Sequence, residues 1–119
     1  MTEETKITIR QIINQIFEIS VDRTQGPAEK RLMSFLMSLN EEQVRKVLTL
    51  YFAGRDNEKD IYGQYYDSQR TFPSKECMVY RLLDTKTSVL RDSLVLGLSL
   101  VEQLNIDIEK DTHQDEFAV

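Results

Sequence analysis

The sequence predicts an all-α fold, a compact five- or six-helix bundle in which a helical hairpin packs on a long C-terminal helix. Two observations predict it. Apolar residues recur at three- and four-residue spacing through successive segments, which is the helical period. The 119 residues include only four glycines and two prolines, so helices are rarely interrupted. We expect a single helical domain over residues 1–106 and an acidic, flexible C-terminal tail over residues 107–119.

The first three predicted helices follow from apolar stripes and capping residues. The first covers residues 6–21, with isoleucines at helical spacing from Ile9 to Ile16. The second opens at Gly26-Pro27, because proline suits a first helical turn. Asn40 and Gln43 then resemble a capping box for the third helix, which we expect Gly54 to end. The short turn between the second and third helices predicts the hairpin.

The second half of the chain predicts three more helices. The fourth covers about residues 61–70 and is ended by Pro73, and Ser74 is a candidate cap for the fifth. The last helix runs from about Ser88 to Leu104 and is apolar on two faces. One face comprises Leu90, Leu94, Leu98 and Val101, and the other Val89, Leu96, Leu100 and Leu104. Such a helix is central in its own fold or shared with a partner. Gly97 in its middle predicts a close helix crossing.

The same stripes predict the hydrophobic core. We expect most of it to come from Ile13, Ile16, Leu32, Phe35, Leu36, Val44, Val47, Leu48, Leu94 and Leu98.

The net charge and the length of the longest apolar run indicate which partners the chain can bind. The net charge is -5, which argues against nucleic acid as a partner because phosphate contacts need a basic excess. A local basic face could still form, within a helix-turn-helix, from Lys30, Arg31, Arg45, Lys46 and Arg55. The apolar run from Leu94 to Val101 is too short to span a membrane. The polar N-terminal segment lacks the features of a signal peptide. We therefore expect a cytoplasmic protein with no membrane partner.

The sequence predicts no catalytic residue, no metal site and no cofactor. His113 is the only histidine and lies in the expected tail, where nothing holds it against a substrate. Cys77 is the only cysteine, near a helix N-terminus that could activate its thiol, although a lone cysteine more often packs as a small apolar residue. The acidic segment from Asp56 to Asp60 has calcium-loop spacing, but Ile61 stands where an EF-hand needs glycine.

One aromatic and basic cluster is the candidate binding site. Tyrosine and arginine are enriched in binding hot spots, and both are frequent in the segment from Arg55 to Phe72. The candidate binding residues are Arg55, Tyr62, Tyr65, Tyr66 and Arg70, with Phe72 beside them. The alternative is that the tyrosine rings pack over the helical core and leave their hydroxyls at the surface.

Two segments resemble a known group of proteins. Leu50-Tyr51-Phe52-Ala53-Gly54-Arg55-Asp56 resembles a leucine-aromatic-Gly-Arg segment in short bacterial proteins classed as a domain of unknown function. Tyr80-Arg81-Leu82-Leu83, followed by Leu90, Leu94 and Gly97, resembles the second block of that group. The resemblance covers residues 36–106. It implies a helical bacterial protein and supplies no activity.

Three functions follow as hypotheses. The first is a protein-interaction or scaffold module that binds a protein partner or self-associates as a homo-oligomer, because the last helix has two apolar faces. The second is a nucleic-acid-contacting regulator that uses the local basic face. The third is a small-ligand binder or enzyme that uses the tyrosine and arginine cluster.

Overall fold

The computed structural model describes residues 7–21 and 28–109, and within them every regular element is an α-helix. The helices are α1 (Ile9–Val21), α2 (Ala28–Met37), α3 (Glu41–Asp56), α4 (Ile61–Thr71), α5 (Lys75–Leu83) and α6 (Thr87–Gln103). The predicted all-α class and the count of six helices are confirmed for this part of the chain.

Local side-chain caps set where α3, α4 and α5 begin. The Asn40 side chain accepts a hydrogen bond from the Gln43 amide at 2.8 Å, and the Gln43 side chain accepts one from the Asn40 amide at 3.0 Å. This reciprocal pair is the predicted capping box. Ser74 caps α5 as predicted, because its hydroxyl accepts from the Cys77 amide at 3.2 Å. Asp60 caps α4 in the same way, through the amide of Gly63.

The helix α3 lies at the centre of the bundle. It makes its most extensive interface with α6 and also packs against α4, α5 and α1. The predicted hairpin of the second and third helices differs in its packing. The helix α2 packs mainly against α1 and α5 and not along α3. The helix that packs along the long C-terminal helix is therefore α3.

Two glycines allow α3 and α6 to approach closely. A Cβ atom at Gly97 would overlap the backbone carbonyl of Leu50, and one at Gly54 would overlap the carbonyl of Ser93. The close crossing predicted at Gly97 is thus present. The prediction that Gly54 ends its helix was wrong: α3 continues to Asp56 and is closed by Asn57 in the left-handed conformation. Gly54 is needed for the approach of α6.

The buried residues follow the predicted stripes. Eight of the ten predicted core residues are buried, whereas Phe35 and Leu98 lie partly exposed at the edge of the core.

The folded unit also continues beyond the expected boundary at residue 106. Ile108 is 1% exposed, and the Glu109 carboxylate accepts hydrogen bonds from the amides of Ile9 and Arg10 at the start of α1. The remainder of the expected tail, 110–119, lies outside the described residues.

Candidate functional site

A groove opens where the C-terminal half of α3 faces α4 and α5. Its volume is about 370 Å³. Aromatic, basic and acidic side chains line it, among them Phe52, Arg55, Asp56, Asp67, Phe72 and Arg81. We call it the arginine–aromatic groove. The rings of Phe52 and Phe72 stack on each other with centroids 5.9 Å apart, which joins α3 to the end of α4.

Two guanidinium groups converge on the same pair of rings. The Cζ atom of Arg55 lies 5.6 Å from the ring centroid of Tyr51 and 4.9 Å from that of Phe52. The Cζ atom of Arg81, from α5, lies 5.5 and 5.4 Å from the same two centroids. These distances are in the range of cation–π attraction. The rings therefore hold two positive charges together beside the groove.

Hydroxyl groups orient Arg81 and Tyr51. The Nη1 atom of Arg81 donates to the Thr85 hydroxyl at 2.9 Å, and that hydroxyl bonds to the Tyr51 hydroxyl at 3.2 Å. Burial raises the pKa of Tyr51, but the Thr85 hydrogen bond and the guanidinium groups of Arg55 and Arg81 outweigh it. The pKa of Tyr51 consequently lies below its ordinary value.

Each acidic group that lines the groove has its own arginine partner. Asp56 accepts two hydrogen bonds from Arg55, at 2.9 and 3.1 Å. This pairing lowers the pKa of Asp56 and raises that of Arg55. Asp67 pairs with Arg70 at 2.7 Å. Within the described ranges, Arg81 has the Thr85 hydroxyl as its acceptor and no carboxylate partner.

The structure separates the predicted binding residues. Arg55 and Phe72 both line the groove. Tyr65 is buried, whereas Tyr62 and Tyr66 are half-buried and pack against the core. Arg70 projects into solvent on α4, with its side chain 81% exposed. The tyrosines thus occupy the positions that packing over the core requires.

The predicted binding set lacked Phe52 and Arg81, which line the groove, and Tyr51 and Thr85, which orient Arg81. Tyr51 and Phe52 come from α3, whereas Arg81 and Thr85 come from α5 and the turn after it, so helical periodicity alone does not bring them together.

The proposed basic face is not formed by the residues suggested for it. Arg45 and Lys46 are each 3% exposed. Arg45 donates to the carbonyls of Ser68 and Phe72 at the end of α4 and to Glu41, and Lys46 lies 3.7 Å from Glu42. Arg55 lines the groove and pairs with Asp56. Lys30 and Arg31 are exposed on α2, so the five residues do not form one basic face.

Of the other sequence candidates, Cys77 and Asp60 lie apart from the groove, whereas Asp56 lines it. Cys77 is exposed near the start of α5. Asp56 and Asp60 of the acidic segment bond to Arg55 and to the amide of Gly63. The described residues contain no cluster of three or more potential metal ligands among histidine, cysteine, aspartate and glutamate. His113 lies outside the described residues.

A second surface is the side of α6 that faces away from α3, which we call the outer face of α6. The predicted inner residues Leu90, Leu94 and Val101 are buried. On the outer face Val89 is 42%, Val95 52% and Leu96 55% exposed, and the cap residue Leu104 is 39% exposed. Of the predicted second face, only Leu100 is buried.

The fold and both surfaces define a small helical-bundle protein. Comparisons with models of protein families, with curated proteins and with solved structures find no match. None of the helices in the described ranges combines the length and the apolar character that crossing a bilayer requires.

Proposed function

We propose that this chain is a protein-interaction module that self-associates through the outer face of α6. The observation that carries the proposal is the exposure of Val89, Val95, Leu96 and Leu104 along one helix. Single exposed apolar residues are ordinary, but several along one helix indicate a contact site. Association would remove these side chains from water.

The charge pattern of α6 favours a second copy of the chain as the occupant. Arg91 and Glu102 lie symmetrically about the peptide bond between Leu96 and Gly97. A two-fold axis at that point would place Arg91 of each copy opposite Glu102 of the other and the exposed Val95 opposite the half-buried Leu98. These four residues recur at four- and three-residue spacing, so they lie on one stripe of α6. This self-complementarity is what a symmetric dimer interface needs.

Both charged residues are accessible for such pairs. Arg91 is exposed and lies over the ring of Phe17 at 5.6 Å. Glu102 is exposed and pairs with Arg10 at 3.1 Å. An exposed pair of this kind contributes little to stability, so Glu102 can exchange its partner at low cost.

The size of the surface sets the expected strength. One helix face buries less area than a permanent dimer interface does. We therefore expect an equilibrium between monomer and dimer that shifts over a dilution series, as opposed to a dimer that never dissociates.

Replacing Val95 tests the proposal. Val95 is 52% exposed and lies on the same stripe of α6 as Arg91 and Glu102. Val95→Glu places a charge opposite Leu98 of the other copy, so we expect the dissociation constant of the dimer to rise by about tenfold or more. Tyr80→Glu is the matched control, because Tyr80 is 58% exposed but lies on α5. Light scattering across a dilution series gives the mass of each protein. Equal association of both variants, or a monomeric parent protein at every concentration, would contradict the proposal.

A cytoplasmic location belongs to the same proposal. It is supported by the exposed, unpaired Cys77, since free exposed thiols persist in reducing compartments. The resemblance to short bacterial proteins stays a prediction and adds no activity to it.

A further inference from the structure

Arg81 lines the arginine–aromatic groove and, among the described residues, bonds to no carboxylate. Arg81 and Arg55 lie over the same rings of Tyr51 and Phe52. Two like charges at such positions repel each other, and Asp56 offsets only Arg55. A negatively charged group bound at Arg81 would neutralise the charge of this guanidinium.

The hydrogen-bonding capacity of Arg81 leads to the same conclusion. A guanidinium has five N–H donors in a planar fork. In the described ranges Arg81 donates to the Thr85 hydroxyl and interacts with the Tyr51 phenol, which leaves further donors for a ligand. The rings and Thr85 fix the side chain before any ligand arrives. A fixed guanidinium with free donors is suited to two-point binding of a carboxylate or a phosphate.

The walls of the groove limit which anions fit. The volume of about 370 Å³ lies within the range of small-molecule sites. Asp56 and Asp67 also line the groove, and their charges disfavour a ligand that is anionic along its whole length. A compact ligand with one anionic end satisfies both conditions.

We propose that the arginine–aromatic groove binds a small molecule through a single oxyanion group, a carboxylate or a phosphate, that Arg81 holds. This site is separate from the outer face of α6, so it does not depend on self-association. The Tyr51 phenol is linked to Arg81 through the Thr85 hydroxyl, so it senses the charge of the bound oxyanion.

The test uses inorganic phosphate and acetate as probes, in nuclear magnetic resonance titrations of the whole protein. Chloride replaces each probe at constant ionic strength. We expect saturable shifts of the Arg81 side-chain N–H signals and of the Phe52 amide. Tighter binding of phosphate would identify a phosphate ligand, and tighter binding of acetate a carboxylate. The absence of saturable shifts with both probes would overturn the proposal.

Two variants with the same change of charge locate the site. Arg81→Gln should weaken binding of the tighter probe by about tenfold or more, because it removes charge-assisted hydrogen bonds. Arg10→Gln removes an exposed arginine from α1, whereas α3, α4 and α5 supply the lining of the groove, so it should leave the affinity within about twofold. Equal weakening by both substitutions would show non-specific attraction and would overturn the proposal.

A second measurement needs no substitution of Arg81. The ionisation of Tyr51 is followed by phenolate absorbance, and Tyr51→Phe identifies its step among the other tyrosines. A bound anion disfavours the phenolate, so the tighter probe should raise the pKa of Tyr51. An unchanged pKa at saturating probe would contradict binding at Arg81.

Discussion

At position 97 the backbone of α3 leaves no room for a methyl group. Elsewhere in a helix, replacing glycine with alanine stabilises by about 1 kcal/mol. Here the added Cβ would overlap the Leu50 carbonyl, which is backbone and cannot rotate away. We expect Gly97→Ala to lower the free energy of unfolding by about 1–3 kcal/mol, because the helices must separate. Urea denaturation measures this as a lower midpoint.

The control for that substitution is Ser99→Ala in the same helix. Ser99 is half-exposed and accepts one hydrogen bond from Gln103 at 3.3 Å, so its loss should change stability by no more than about 0.5 kcal/mol. A Gly97→Ala protein as stable as the parent would contradict the close crossing.

The two glycines also mark what can be predicted at the scale of a residue. Gly97 lies far from a predicted helix end, so a close approach was the physical reason available for it. Gly54 lies near the end of an apolar stripe, where a capping glycine and a close-packing glycine are indistinguishable in sequence. The end of α3 is set instead by Asn57, whose φ of 52° is in the left-handed region.

Among the helices, α4 depends on one side chain of α3. Arg45 is buried and donates to the carbonyls of Ser68 and Phe72 at 2.8 and 2.9 Å. Arg45→Met keeps an elongated side chain but leaves both carbonyls without this donor. We expect a loss of about 2–3 kcal/mol and faster amide hydrogen exchange at the end of α4. Chemical denaturation and exchange measured by nuclear magnetic resonance test the two effects.

Arg70→Met is the matched control for Arg45. Arg70 is an arginine of α4 whose ion pair with Asp67 is exposed to solvent. Its removal should cost between about 0 and 1 kcal/mol. If both substitutions destabilise the protein equally, Arg45 does not fasten α4 to α3.

Helix starts were predictable and helix partners were not. Asn40 and Ser74 bond to amides three residues further along the chain, so their role is written in local sequence. Arg45 bonds to carbonyls on another helix. In sequence it is one more basic residue on an amphipathic helix, which is why it was assigned to a basic face.

Over the whole molecule, the last described residues hold the first helix. The Glu109 carboxylate accepts from the amides of Ile9 and Arg10 at 2.8 and 3.2 Å, which caps α1 with a negative charge. We expect Glu109→Ala to cost about 1 kcal/mol and to speed amide exchange in the first turn of α1. Glu18→Ala, an exposed substitution on the same helix, should change neither quantity. Unchanged exchange in the Glu109 variant would contradict this cap.

The arrangement of the helices in the whole molecule, which the sequence does not show directly, decides where a functional site forms. The apolar stripes predicted the fold class and the exposed apolar side chains of α6, because both follow from helical period. The groove is formed by Phe52 of α3, Phe72 after α4 and Arg81 of α5. Its composition depends on how three helices pack, and no local pattern encodes that packing.

The central claim is that two copies associate through α6 with Arg91 opposite Glu102. The most direct test is the mass in solution of three proteins: Arg91→Glu, Glu102→Arg, and the double variant with both changes. We expect each single variant to be largely monomeric, near 13.9 kDa, because like charges face each other. The double variant should regain the dimer of the parent protein, since the opposite charges are restored. A double variant that associates no better than the single ones would contradict the two-fold arrangement.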